Sequence, residues 1–357
     1  MKANWKAWLG LGVSVFLLWW VFRGEDLGAI AERLTAADPL LLALSGAIST
    51  SGGLIRALRW RLLLEPLGVR TSLHARWASL NIGFMVTNVF AARFGEIARP
   101  FALSRITPVS MSAALGTVVL ERLLDTSALL LLLLLALASP AFPENATVLG
   151  RSIGFAVSGV MLVGSAALVL VVCLLVWPTV VTRLVRFCAR VLPDHLEDGV
   201  VAGIGSFLSG LELLRRPSAM VKALLWSLLL WTWMAASFWA AFRAFGIELG
   251  ATAAMFTQCA VAMFVALPAG PGFIGTMQAG VSVSVQDVFG IAAEPTLSLA
   301  VGYHLAGFIP VTALGFYYAW RMGLHLGSLK GEAESAMEGE SPGGATQQAI
   351  ATDPSEG

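Results

Sequence analysis

The sequence predicts an all-α, polytopic membrane protein made of two inverted halves. Six full spans, two re-entrant helical hairpins and both termini in the cytoplasm make up the expected architecture. Three observations predict it. The chain is 57% hydrophobic and 13% charged, with a mean hydropathy of +0.79, whereas soluble domains carry about a quarter charged residues. Six stretches, 5–22, 39–62, 110–139, 153–177, 220–245 and 296–320, have the length and apolarity of spanning helices, which need about 20 such residues. The apolar pattern also breaks twice, at matching places in the two halves: Thr87-Asn88-Val89-Phe90-Ala91-Ala92-Arg93-Phe94-Gly95-Glu96-Ile97-Ala98-Arg99-Pro100 and Leu267-Pro268-Ala269-Gly270-Pro271-Gly272-Phe273-Ile274-Gly275-Thr276-Met277-Gln278. Unwound backbone survives at membrane depth only beside a cavity or buried in protein, so paired breaks point to a transporter's binding site.

Each element follows in order. Segment 5–22 is expected to be a retained span, since no small-residue cleavage site follows Phe22 and Arg23-Gly24-Glu25-Asp26 comes next. In 23–38, Leu27, Ile30 and Leu34 are spaced for a surface helix. Segment 73–104 starts and ends among arginines assigned to the inner side and is read as a hairpin dipping in from the cytoplasm. The loop 178–219 carries Arg183, Arg186 and Arg190 before Leu196, Val200, Ile204, Phe207, Leu211 and Leu214. That spacing predicts an amphipathic helix at the cytoplasmic interface, serving as a tether or contacting lipid. Segment 252–290, between Glu248 and Glu294, is the matching hairpin from outside, with Gly95 and Gly272 as equivalent points. The membrane domain then covers 1–330, with halves at about 1–140 and 150–325. Residues 331–357, rich in Gly, Ser, Glu, Ala and Gln without aromatics, are expected to form a disordered cytoplasmic tail.

Charge sets the orientation. A cytoplasmic N-terminus puts Lys and Arg on the inner side, except Arg23, Arg33, Arg151 and Arg243 outside and Arg122 within a span. Trp19, Trp20, Trp60, Trp177, Trp226 and Trp320 fall near span ends, as interfacial anchors do. Cys173, Cys188 and Cys259 make no disulfide framework, and the four histidines make no metal cluster. The Asn145-Ala146-Thr147 triplet would matter only in a secretory pathway. Without a phosphate-binding Walker loop, ATP hydrolysis by this chain is not expected.

Charged residues in the apolar segments mark the candidate site. Arg56, Arg59 and Arg61 close the second span. Arg59 and Arg61 suit a topology anchor as well as a site, with Arg59 kept beside Arg56 as a candidate substrate-binding residue, while Arg56 starts deeper and reaches out along its stem. In the first break Arg93, Glu96 and Arg99 are spaced at three, so on a helix they share a face. Gly95 permits close backbone approach, and the forked guanidinium suits phosphate. The alternative there is Glu96 pairing with an arginine to fix the dip. Glu121, Arg122 and Asp125 lie inside the third span; with a helix starting near Ser110, Glu121 is ~16 Å along it. Facing lipid, each would cost ~2.5–3.5 kcal/mol, so they are expected to face the interior, within reach of Arg56, Arg93 or Arg99. A structural ion-pair network and proton or ion coupling both stay open. In the second break Pro268, Gly270, Pro271, Gly272 and Gly275 offer unwound backbone whose N–H groups suit an anion, joined by Gln278 and by His304 of the last span. The bland alternative is Gly/Pro-rich helix packing.

These residues resemble a known family. Arg59-Trp60-Arg61-Leu62-Leu63, Asn88, the run Arg93 to Pro100, Glu121-Arg122 with Asp125, and Pro268 with Gly270-Pro271-Gly272 and Gly275 occur in an order and spacing similar to the lysylphosphatidylglycerol synthase transmembrane (flippase-like) family. The resemblance covers about residues 5–325. It implies inverted halves with re-entrant helices and movement of lipids or lipid-linked molecules between leaflets. In aminoacyl-phospholipid members the charged motifs surround the lipid head group, which would assign Arg56, Arg93, Glu96, Arg99, Glu121, Arg122 and Asp125. Two positions depart from the pattern: Ala91 replaces a proline before the Arg-x-Gly-Glu run, and Gln278 stands where an acidic residue is common. The soluble aminoacyl-transferase domain of bifunctional members is absent, so synthesis of lysyl-phosphatidylglycerol is not expected.

The expected function is a flippase-like transporter in the cell inner (plasma) membrane for an anionic phospholipid or lipid-linked glycan, not an enzyme. An accessory subunit holding a lipid for an envelope lipid or polysaccharide synthesis enzyme is the alternative. Expected partners are lipids with anionic head groups and not nucleic acid; envelope biosynthesis enzymes and a second copy of the chain stay open. Neither a cofactor nor a metal is expected.

Overall fold

The computed structural model describes residues 5–90, 94–148, 151–155, 157–159, 161–162, 164–166, 213 and 216–324. The elements are α1 (Trp5–Phe22), α2 (Leu27–Ala36), α3 (Pro39–Leu64), α4 (Leu73–Val89), α5 (Gly95–Ile106), α6 (Met111–Leu137), α7 (Pro217–Ala244), α8 (Ala251–Ala266), α9 (Thr276–Val281) and α10 (Ala293–Arg321). The helix α9 runs on into a π-helical turn, Ser282–Val288, and a two-residue β-ribbon pairs Thr147–Val148 with Arg151–Ser152. Among the described residues the fold is all-α apart from that ribbon, which the sequence did not signal.

Local chemistry sets the helix starts. Asp26 caps α2 and Asp38 caps α3, each accepting two backbone N–H groups, while Ser72 and Ser110 cap α4 and α6. Pro39 and Pro217 fill first-turn positions where no N–H is needed. The segment Pro39–Leu67 and helices α7 and α10 are long and apolar enough to cross a membrane. The helix α6, at 27 residues, is as long but carries Glu121, Arg122 and Asp125.

The antiparallel pair α3 and α7 forms the centre. Asp38 N donates to Ala244 O at 2.9 Å, and Ser45 Oγ to Ser237 O at 2.8 Å. Gly52 faces Met234 and Leu230, where any side chain would press on the methionine sulfur. The helix α6 packs on α7 and α8, and α10 packs on α3 and α4. One apolar core, with Trp60, Leu63, Leu120 and Leu124, lies where α3 ends and α7 begins; a second, with Phe238, Phe242, Val285 and Tyr303, lies at the opposite end.

The helices that flank each break pack against one another. The helices α4 and α5 pack together, with bare backbone in contact: a Cβ on Gly95 would collide with the Gly83 carbonyl oxygen and the Thr87 hydroxyl. The helices α8 and α9 pack likewise, Gly280 lying against Val261. The expected surface helix at 23–38 is α2, but it docks on α10: Ile30 is buried, Ser298 Oγ donates to Ile30 O at 3.1 Å, and Arg33 pairs with Glu294 at 2.8 Å.

Trp60 corrects the anchor expectation. It is fully buried, and its indole Nε1 donates to Thr117 Oγ1 at 2.9 Å, so it serves as core. Most of 153–177 and of the 178–219 loop, and the whole of 331–357, lie outside the described residues.

Candidate functional site

The helix α6 carries Glu121 and Asp125 one turn apart, facing α3, α5 and α7. Glu121 Oε1 accepts from Arg56 Nη1 at 2.7 Å, Arg99 Nη1 at 3.0 Å and Arg122 Nη2 at 2.7 Å. Its Oε2 accepts from Arg99 Nη2 at 3.2 Å. Asp125 accepts from Arg59 Nη1 at 2.6 Å, Arg56 Nη1 at 3.1 Å and the Trp231 indole at 3.1 Å, and it lies 3.2 Å from Arg122 Nη2. Arg59 also donates to Ser227 Oγ at 2.5 Å. The Arg99 guanidinium lies 4.5 Å from the centre of the Trp60 ring, a cation–π contact.

Burial is near complete: Glu121 and Arg59 are 0% exposed, and Asp125 3%. Charges so placed survive only when paired. Four guanidiniums share two buried carboxylates, with half-exposed Glu96 lying 4.0 Å from Arg122. Cations exceed anions among these groups; Arg59 Nη2 lies 3.4 Å from Glu121 Oε1, and Nε of Arg59, Arg99 and Arg122 are buried without a hydrogen-bond acceptor.

Two cavities adjoin the cluster. One of about 170 Å³ is lined by Arg56, Arg99, Arg122, Glu96, Gly95 and Thr87 among others. Another of about 260 Å³ is lined by Arg56, Asn81, Asn88, Gln258, Gly272 and His304 among others. Arg56, Phe84, Val265 and Phe273 belong to both. Phe273 holds a left-handed φ of 60° beside Gly272 at 65°, a conformation rare for a bulky residue. An open apolar groove of about 930 Å³ runs between α3, α4 and α10, lined by Ala47, Trp77 and Pro310, and Thr50 faces both it and the larger cavity.

The two breaks meet at the larger cavity. Gly272 lies against Phe308 and near the Asn88 carbonyl oxygen, and Asn88 Nδ2 donates to Thr312 Oγ1 at 2.8 Å. Gln278 Oε1 accepts from Gly275 N at 2.8 Å, and its Nε2 lies 2.9 Å from His304 Nδ1. Gly270 N donates to Ser14 Oγ at 2.8 Å. The expectation that this break offers free N–H groups to an anion therefore fails at Gly270 and Gly275, whose N–H groups already have side-chain acceptors. Pro268 is exposed at the edge of the break.

Among the sequence-selected residues, Arg56, Arg59, Arg99, Glu121, Arg122 and Asp125 converge, with Glu96 at their edge. Asn88, Gly272 and His304 gather around the larger cavity, with Gln278 behind His304. Arg93 lies outside the described residues, so of the face expected for Arg93, Glu96 and Arg99 only Glu96 and Arg99, both on α5, are described. Arg59, a candidate site residue that equally suited a topology anchor, is a buried member of the cluster, whereas Arg61 is exposed. Sequence reasoning missed Ser227, Trp231, Thr50 and Gln258. Gln258 left a signal, an amide inside the apolar run 252–266.

Comparison with known proteins gives three findings. The family model described as the lysylphosphatidylglycerol synthase TM region matches residues 7–315. A UPF0104 membrane protein of Methanothermobacter thermautotrophicus is 21% identical over 306 residues, covering 81% of this chain and 87% of that protein. No solved structure matches.

Proposed function

This chain belongs to the lysylphosphatidylglycerol synthase transmembrane family, and on that premise we propose that it carries an anionic phospholipid or lipid-linked glycan between the leaflets of the cell inner membrane. The membrane location and a lipid-related role come with the family; transport and the cargo are our inference. The observation that carries it is the excess of guanidinium over carboxylate in the cluster, with Nε of Arg99 and of Arg122, two residues that line the smaller cavity, left without an acceptor. Phosphate is the chemistry that such forked donors match. Glu121 and Asp125 position the arginines, and the chain acts as a carrier, not a catalyst.

Helix lengths support the topology behind this reading. The 17 residues of α4 and 16 of α8 rise about 25 Å and 24 Å, short of the ~30 Å hydrocarbon core. Each is followed by a return, which supports two re-entrant hairpins between six spans with both termini inside. The packing also pairs across the halves: α6 on α7 and α8 is matched by α10 on α3 and α4. This supports an inverted repeat with a binding chamber at its interface.

The test is transfer of a fluorescent anionic phospholipid between leaflets of proteoliposomes holding the purified chain. Transfer that disappears in Arg56→Gln and Arg99→Gln supports the reading. Binding without transfer would favour the accessory-subunit role, and mass spectrometry showing covalently altered lipid would make the protein an enzyme.

A further inference from the structure

Two buried polar atoms away from the arginines have no hydrogen-bond partner: Thr50 Oγ1 and Gln258 Oε1. Both residues line the 260 Å³ cavity, which borders the arginine-lined cavity through Arg56. Gln258 is 4% exposed and stands eight residues before the last residue of α8, Ala266; Asn81, 2% exposed on the same cavity, stands eight before the last residue of α4, Val89. Ser49, Asn88 and His304 add further uncharged polar groups, and the rings of Phe84, Trp231 and Phe308 supply apolar faces. Among the described residues no Asp or Glu lines this cavity. The carboxylates of Glu121 and Asp125 are already engaged by arginines.

Resting on the head-group reading above, we propose that this cavity receives an uncharged, hydroxyl-rich portion of the cargo head group, a polyol or sugar ring, whose phosphate lies at Arg56. An orphaned buried acceptor is costly, and a hydroxyl donating to Gln258 Oε1 or Thr50 Oγ1 satisfies it. Rings and a few placed polar groups are how small-molecule cavities fix such a ligand. An ammonium on the head group would meet Arg56 with no carboxylate of its own to pair with in this cavity, and like charges brought together oppose binding. The cavity therefore selects against the cationic head group of an aminoacyl lipid.

The test is calorimetric binding of three short-chain lipids to the purified full chain: dioctanoyl phosphatidic acid, dioctanoyl phosphatidylinositol and dioctanoyl lysyl-phosphatidylglycerol. The inositol lipid is expected to bind about three- to tenfold tighter than phosphatidic acid, the range one or two hydrogen bonds provide, and the lysyl lipid weakest. Gln258→Leu is expected to erase the inositol preference and leave phosphatidic acid affinity unchanged, and near-isosteric Thr50→Val to reduce the preference. Equal affinity for the inositol lipid and phosphatidic acid would overturn the proposal while leaving the phosphate reading intact. So would parallel weakening of both lipids by Gln258→Leu, or tightest binding of the lysyl lipid. Failure of phosphatidic acid itself to bind would sink the underlying head-group reading. If Gln258→Leu does not fold, Thr50→Val alone decides.

Discussion

Glu121 is the keystone of the buried cluster, and replacing it with glutamine isolates its charge from its shape. Four hydrogen bonds end on its carboxylate, from Arg56 at 2.7 Å, Arg99 at 3.0 and 3.2 Å, and Arg122 at 2.7 Å. Glutamine keeps one acceptor but sets an NH₂ against a guanidinium nitrogen of Arg99 or against the other arginines. Bonds to charged groups are worth ~1.5–3 kcal/mol each, yet the sum is an upper bound, because Asp125 stays and takes up part of the load. Removing one partner of a buried ion pair costs about 3–5 kcal/mol, and that is the expected loss for Glu121→Gln. The assay is reversible denaturant unfolding in mixed micelles, with Glu96→Gln as control. Glu96 is about as exposed as Arg122, its neighbour at 4.0 Å, and a pair in that setting is worth no more than about 1 kcal/mol. Equal losses for the two variants would refute the account of the cluster as a desolvated network keyed on one carboxylate.

Three further outcomes follow from the packing. Gly95→Ala is expected to cost about 1–3 kcal/mol by overpacking against the Gly83 carbonyl, whereas Gly12→Ala, which meets open space inside α1, is expected to gain up to about 1 kcal/mol in helix propensity and so not to lower the thermal midpoint. Trp60→Phe removes the bond to Thr117 and weakens the stacking under Arg99, for a loss of about 1–2 kcal/mol in the same unfolding assay. Phe273→Gly relieves the left-handed backbone, worth about 1–3 kcal/mol, so it is expected to be at least as stable as Phe273→Leu in thermal scans.

Much of the helical layout was legible in the sequence because spans announce themselves by length. The apolar stretches 39–62, 110–139, 220–245 and 296–320 lie within or beside α3, α6, α7 and α10, since hydrocarbon forces backbone into helices. The carboxylates of α6 were legible for the same reason, as charges that lipid would reject. Side-chain destinations were less so. Arg59 and Trp60 stand at a helix end where cationic and aromatic residues ordinarily mark the interface, and only the approach of α5, α6 and α7 turns both inward. The N–H groups of the second break read as free because nothing local reveals that Ser14, from the distant first helix, reaches Gly270. The polar lining by Thr50 and Gln258 is likewise a product of tertiary packing, which brings residues of α3 and α8, far apart along the chain, to one cavity.

The naked crossing of α4 over α5 has a mechanical consequence. With the Gly83 carbonyl oxygen occupying the place of a Gly95 side chain, the arms have no cushion of rotamers to slide upon. Bending one arm against the other means parting main chain from main chain, so displacement is channelled to the flanks, where Gly68 adopts a φ of 69° after the short turn Glu65–Leu67 and Thr107 is extended. Arg99, carried on α5, is tied to α4 through that backbone contact, so shifting it relative to Glu121 has to part the two main chains or carry α4 along.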